Sequence, residues 1–153
     1  MDHYHVGIVV TDIEEASTKL SELLGVTWGP IMRLDAVEYR DEKNDDVVLP
    51  TTMRYSTGTP CLELILEVPG SAWVRNESSN LHHIGFWSDS LGDQSAAFSA
   101  AGCPLQLCGR SGTTAPASFS YHRDPELGIR VELVDASMRE AMAFLFESPP
   151  PRS

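Results

Sequence analysis

The sequence predicts an α+β fold in which one order of elements, strand, helix, strand, strand, strand, occurs twice. Three observations carry this. His5-Val6-Gly7-Ile8-Val9-Val10 returns as His83-Ile84-Gly85-Phe86-Trp87-Ser88, with the two histidines 78 residues apart. Leu62-Glu63-Leu64-Ile65 returns as Val131-Glu132-Leu133-Val134. Each histidine strand is followed by a helix signal that ends at a glycine, Gly25 in the first copy and Gly102 in the second. Identity outside these strands is weak, so the shared order of elements is the stronger sign of duplication.

The elements follow in chain order. Residues 5–10 form a short apolar, β-branched run and predict a strand. Thr11 or Asp12 then caps a helix with Glu14 and Glu15 in its first turn and Ala16, Leu20, Leu23 and Leu24 on its stripe. A second strand is expected over 27–34, interrupted by Gly29-Pro30. The acidic run 41–46 predicts a solvated turn. Strands over 47–55, with Pro50 at a bulge or edge, and over 61–68 follow.

In the second copy, residues 82–88 predict a strand. A helix opening at Asp89 or Ser90 runs through Ala96, Ala97, Phe98 and Ala101. Three more strands are expected over 105–108, 117–123 and 129–134, the last two joined by Asp124-Pro125-Glu126-Leu127-Gly128. The chain thus divides into a first βαβββ module over 1–70, a linker over 71–80, and a second module over 81–135. A C-terminal helix over 136–147 carries Met138, Ala141, Met142 and Leu145 on one stripe. The proline-rich tail 148–153 cannot continue a helix and is expected to fray.

Bulk properties narrow the function. At 42% hydrophobic and 22% charged, the chain has the balance of a soluble globular protein. No apolar run approaches the roughly 20 residues that span a bilayer. The start has neither the basic nor the apolar region of a secretory signal. A net charge of −11 disfavours nucleic acid as a partner. An anionic substrate would need local arginines, for which Arg33, Arg54, Arg75, Arg110, Arg123 and Arg130 are the candidates. Cys61, Cys103 and Cys108 form no CxxC and are read as free thiols in a cytoplasmic protein.

Strand alternation locates a site. In the first strand Val6, Ile8 and Val10 share one face, with His5, Gly7 and Val9 on the other. Leu62, Leu64 and Leu66 oppose Glu63 and Ile65; Ile84 and Phe86 oppose His83, Gly85 and Trp87; Val131 and Leu133 oppose Glu132 and Val134. Each strand has an apolar face suited to packing under a helix, and each puts one ionisable group on the other face. Buried charges are costly unless paired or metal-bound. Two imidazoles and two carboxylates on one concave surface suit a divalent ion such as zinc, manganese, iron, cobalt or nickel. The expected ligands are therefore His5, Glu63, His83 and Glu132, with Gly7 and Gly85 leaving open space beside the metal. His82 competes with His83, and Glu67 with Glu63, but only the latter members align in the repeat. His3 shares the face of His5 and is read as an outer-sphere or solvent residue, and His122 as a loop or surface residue. Trp73, Trp87, Phe119 and Tyr121 are candidate substrate-pocket residues, Trp87 foremost because it shares a face with His83.

With these residues in view, the chain resembles the vicinal oxygen chelate superfamily, which includes glyoxalase I, methylmalonyl-CoA epimerase, extradiol dioxygenases and bleomycin-resistance proteins. The matching stretches are His5-Val-Gly-Ile-Val-Val-Thr-Asp12, Glu63-Leu-Ile, His82-His83-Ile-Gly-Phe and Val131-Glu132-Leu-Val. The resemblance covers nearly the whole chain and is nearest to the glyoxalase I and epimerase-like members. It implies two βαβββ modules forming a curled, mostly antiparallel sheet around a central cavity, with ligands at His5, Glu63, His83 and Glu132.

It further implies proton transfer next to a carbonyl through a metal-bound enolate, with Glu63 or Glu132 as the base, in a metal-dependent isomerase or lyase acting on a small molecule. The epimerases commonly have glutamine where Glu63 stands here, and their separate base has no secure match; Asp46 is nearest by spacing but lies in the acidic run. The alternatives are an antibiotic- or metabolite-binding protein of the bleomycin-resistance type and a ring-cleaving dioxygenase. The resemblance also implies a homodimer.

Overall fold

The computed structural model describes residues 1–76, 78–110 and 115–147. In chain order the elements are β1 (Asp2–Val10), α1 (Ile13–Leu24), β2 (Met32–Asp41), β3 (Asp46–Tyr55), β4 (Leu62–Leu66), β5 (Leu81–Ser88), α2 (Leu91–Ala100), β6 (Leu105–Gly109), β7 (Ala117–Arg123) and β8 (Arg130–Asp135). The eight strands close into a barrel in the order β1-β4-β3-β2-β6-β7-β8-β5. Only β1 with β4 and β5 with β8 run parallel; the other neighbours are antiparallel. Both parallel pairs join a histidine strand to a glutamate strand, and β1 and β5 lie side by side.

Local chemistry explains the first connection. Asp12 accepts the Glu15 N–H at 2.9 Å and so caps α1. Gly25 ends the helix at φ 69°, a left-handed geometry that costs glycine little. The apolar stripe of α1 packs on the outer faces of β1 and β4, where Val10, Ile13, Trp28 and Leu64 form a buried cluster with Ile8, Ala16 and Leu20. The second helix behaves differently. It packs on β6, β7 and β8, leaving Leu81 and Ile84 of β5 exposed, so the outer face of β5 is not a helix-packing face.

Three expectations are corrected. The second strand runs over Met32–Asp41, not 27–34. Proline has no N–H for a ladder, and Trp28 makes only an isolated bridge to Ser56. The Trp28 indole N–H is instead shared by the Ser17 carbonyl and the Ser21 hydroxyl, both at 3.0 Å. The C-terminal helix is two short 3-10 turns, Ala136–Met138 and Ala143–Phe146. Leu145 is buried and its backbone lies flat on Gly29, where a Cβ would stand 1.9 Å from the Leu145 carbonyl oxygen. That docking bends the chain to fit the barrel and overrides the helical pattern. His122 lies buried in β7, facing α2 rather than solvent. The tail 148–153 falls outside the described residues. Among the described residues no helix is long and apolar enough to cross a membrane.

Candidate metal centre

The register of four strands assembles the centre. Across β4, β1 and β5, the residues Glu63, Gly7 and His83 stand in one row. Across β1, β5 and β8, the residues His5, Gly85 and Glu132 stand in another. Each row has a glycine in the middle. A Cβ on Gly7 would sit 2.0 Å from Cε1 of His83, and one on Gly85 would sit 2.4 Å from Cε1 of His5. The glycines therefore do not leave open space, as the sequence suggests. Each makes a notch for the imidazole of the opposite strand.

His5, Glu63, His83 and Glu132 are all buried, and one ligand atom from each lies within 4.8 Å of every other. The His5 and His83 Nε2 atoms are 2.7 Å apart. His5 Nε2 lies 2.9 Å from Glu132 Oε2 and 3.3 Å from Glu63 Oε2. His83 Nε2 lies 3.1 Å from Glu63 Oε2 and 3.3 Å from Glu132 Oε2. Donor atoms each about 2.0–2.2 Å from a common ion have spacings of this size. Both Oε2 atoms are buried without a hydrogen-bond partner. Unpaired buried carboxylate oxygens facing two imidazole nitrogens are a donor set that fits a divalent ion.

Electrostatics point the same way. Burial by itself would pull the His5 imidazolium down, but Glu63 and Glu132 override it and raise His5 to about 10. His83 is raised by the same two carboxylates against its own desolvation. Burial pushes Glu63 and Glu132 up, yet the two imidazoles hold both below the usual carboxylate range. The pocket attracts positive charge, which protons supply when no metal does.

Aromatic rings frame the centre. The Tyr55 hydroxyl donates to Glu63 Oε1. Tyr4 meets His5 edge-on at 4.2 Å between ring centroids, and Tyr121 tilts against His83 at 4.9 Å. Glu63 and Glu132 form the polar floor of a cavity of about 200 Å³ whose other walls are largely apolar, with Met32, Met53, Met138 and Met142 among them. Of the four expected pocket residues, Trp73, Phe119 and Tyr121 line this cavity. Trp87 does not; it stacks on Tyr4 at 4.0 Å with the Arg139 guanidinium 5.1 Å from its ring.

The competing residues lie elsewhere or act differently. His82 turns its ring toward His83, with the two Nδ1 atoms 2.9 Å apart. Glu67 pairs with Arg75 at 3.1 Å, and exposed His3 touches Phe86. His122 bonds the Ser95 hydroxyl at 2.9 Å and the Cys103 carbonyl at 3.0 Å, away from the centre. Asp46 is half exposed and pairs with Arg40 and Arg110. Sequence reasoning missed Tyr55 and Tyr4. The turn 56–61 could have revealed Tyr55, since it sets Tyr55 opposite Glu63 in the β3–β4 ladder. Tyr4 reaches the interior through a register shift in β1 between His3 and His5, which alternation alone does not foresee.

Comparison with known proteins agrees with this architecture. A search of curated proteins finds no match. Among solved structures, a hypothetical protein, BH1468, from Bacillus halodurans C-125 superposes with a TM-score of 0.60 at 14% identity, covering 88% of this chain and 93% of its own. A methylmalonyl-CoA epimerase in complex with methylmalonyl-CoA and NH4+ gives 0.60 at 16% identity, covering 97% and 98%. The methylmalonyl-CoA epimerase from Mycobacterium tuberculosis gives 0.57 at 16% identity, covering 92% and 91%. At these identities the likeness is one of fold. The family model of the Glyoxalase/Bleomycin resistance protein/Dioxygenase superfamily matches residues 4–121, and the chain belongs to that superfamily.

Proposed function

We propose that the protein is a metal-dependent isomerase or lyase that moves a proton next to a carbonyl group of a small molecule. The convergence of His5, Glu63, His83 and Glu132 on one point at the floor of an apolar cavity carries this reading. These four residues would hold the ion. When bound, a divalent ion supplies Lewis-acid polarisation that acidifies the carbon beside a carbonyl.

The chain's own groups do the rest. Tyr55 holds Glu63 Oε1 by its hydroxyl, which fixes that carboxylate in place. Among the described residues no hydroxyl donates to Glu132, and Glu132 also lines the cavity. Glu132 is therefore the group placed to accept the proton and return it, and Glu63 serves as a ligand. Apolar walls exclude water and strengthen every electrostatic interaction inside.

The substrate is a compact carbonyl compound with an apolar substituent. Besides the two ligand glutamates, the lining has only Glu38 and Arg110 as charged residues, and Asp46 already neutralises Arg110. A polyanionic group would meet no free cation there and would also face a chain of net charge −11.

The test is to purify the untagged protein, incubate it with zinc, manganese, cobalt, nickel and iron, and measure bound metal by mass spectrometry. One equivalent is expected for the native chain, and little for His5→Ala or His83→Ala. A native protein that stays metal-free sinks the reading. Deuterium uptake into small 2-oxo and 2-hydroxycarbonyl compounds in heavy water then checks the chemistry. Tight retention of such compounds by the loaded protein without exchange would favour a sequestering role.

A further inference from the structure

We infer that His82 is a positioning residue that sets the tautomer and ring angle of His83 toward the metal; this rests on the metal reading proposed above. The geometry is a chain of three groups. His83 Nε2 points at the glutamate oxygens, at 3.1 and 3.3 Å. Its other nitrogen, Nδ1, lies 2.9 Å from His82 Nδ1. His82 Nε2 lies 2.7 Å from the backbone carbonyl oxygen of Ala72.

One protonation pattern satisfies every member. The Ala72 carbonyl only accepts, so His82 Nε2 bears the proton and donates. His82 Nδ1 is then the bare nitrogen and accepts. His83 Nδ1 must donate to it, which leaves His83 Nε2 bare with its lone pair aimed at the centre. That is the tautomer a metal ligand needs, and an outer partner of this kind holds the ring angle and raises ligand basicity. His82 is 8% exposed and His83 is 3% exposed, so water competes little for either hydrogen bond. The two rings stand nearly perpendicular, at 87°, with centroids 5.2 Å apart.

The anchor of the chain is placed to matter. Ala72 precedes Trp73, whose indole N–H donates to the Tyr121 hydroxyl at 3.2 Å. Trp73 and Tyr121 both line the cavity. The backbone that orients His83 through His82 is thus continuous with the cavity wall. His82 serves His83 from behind and touches neither the ion's position nor the cavity.

Three proteins test this: the native chain, His82→Phe, which keeps an aromatic ring but removes the acceptor, and His82→Asn, whose amide oxygen can stand where Nδ1 stands. Zinc affinity is measured by competition with a chromophoric chelator. His82→Phe is expected to bind zinc about 10–100-fold more weakly, the usual loss for an outer partner, and His82→Asn to recover most of it. A His82→Phe protein that unfolds at the native temperature and binds zinc within twofold of native overturns the inference. So does a His82→Asn protein that folds but binds no better than His82→Phe. If native protein binds no zinc at all, it is the metal reading that fails, and the positioning role falls with it.

A second readout needs no variant. In cobalt-loaded native protein, the ring N–H of His83 should give a paramagnetically shifted proton signal that exchanges slowly with solvent because His82 accepts it. The absence of any slowly exchanging ring N–H in a protein that binds cobalt overturns the inference.

Discussion

His5 and His83 hold matching places in their strands, yet they are backed differently. Behind His83 stands a hydrogen-bonded chain through His82 to the Ala72 carbonyl. Behind His5 there is no such partner: its Nδ1 is buried and unbonded, and the Tyr4 ring meets it edge-on instead. The glutamates differ in the opposite sense. Glu63 is clamped by Tyr55, whereas no hydroxyl donates to Glu132 among the described residues. Each strand pair thus supplies one braced group and one freer group. The braced imidazole lies in register with the clamped carboxylate, across Gly7. The centre has a rigid row and a compliant row, as suits a site that must hold an ion and also move a proton.

Breaking the notches should have the largest effect. Gly7→Ala drives a methyl group into the braced His83 ring, and Gly85→Ala drives one into the His5 ring. Gly7→Ala should abolish zinc binding and cost about 1–3 kcal/mol by urea unfolding. Gly85→Ala, which presses on the histidine without a hydrogen-bonded backing, should leave weak binding. Equal zinc stoichiometry and affinity in the two variants would show that the rows do not differ in stiffness.

Raising the pH probes His5 next. His5 is near 6.5 when unfolded and about 10 when folded without metal. Its contribution to stability is full below pH 6.5 and is lost as pH rises through about 10. The metal-free protein should therefore lose on the order of a few kcal/mol of stability between those limits. Glu63 and Glu132, held low, contribute above their unfolded range and lose that contribution as pH falls below it. Calorimetry of chelator-treated protein at stepped pH checks this, and a melting temperature that rises from pH 7 to 10 contradicts it.

Tyr55→Phe gives a smaller change. It leaves Glu63 Oε1 without its donor and should cost about 1–3 kcal/mol. It should also make Glu63 behave more like Glu132. A stability unchanged within error would mean that the hydroxyl does not brace the carboxylate.

Much of this arrangement is legible from strand alternation. Period two puts His5, Glu63, His83 and Glu132 on inward faces, and the repeat prefers His83 over His82. The surroundings are less legible because they depend on breaks in regularity. The shift in β1 that turns Tyr4 inward adds no distinctive residue to the sequence. Because Tyr4 stacks on it, Trp87 stays outside the cavity despite its shared face with His83. His82 and His122 are polar residues in strands, so they read as solvated, but each finds buried partners that lie far away in sequence. The C-terminal stripe has a helical period, yet contact with Gly29 decides its shape.

The crossed notches have a consequence for descent. His83 fits only while position 7 is glycine, and His5 fits only while position 85 is. Losing either ligand leaves a hollow in the neighbouring strand, and filling that hollow forecloses the ligand's return. Drift at one strand is therefore answerable only at the other. The four positions should travel through related sequences as a linked quartet, kept together or surrendered together.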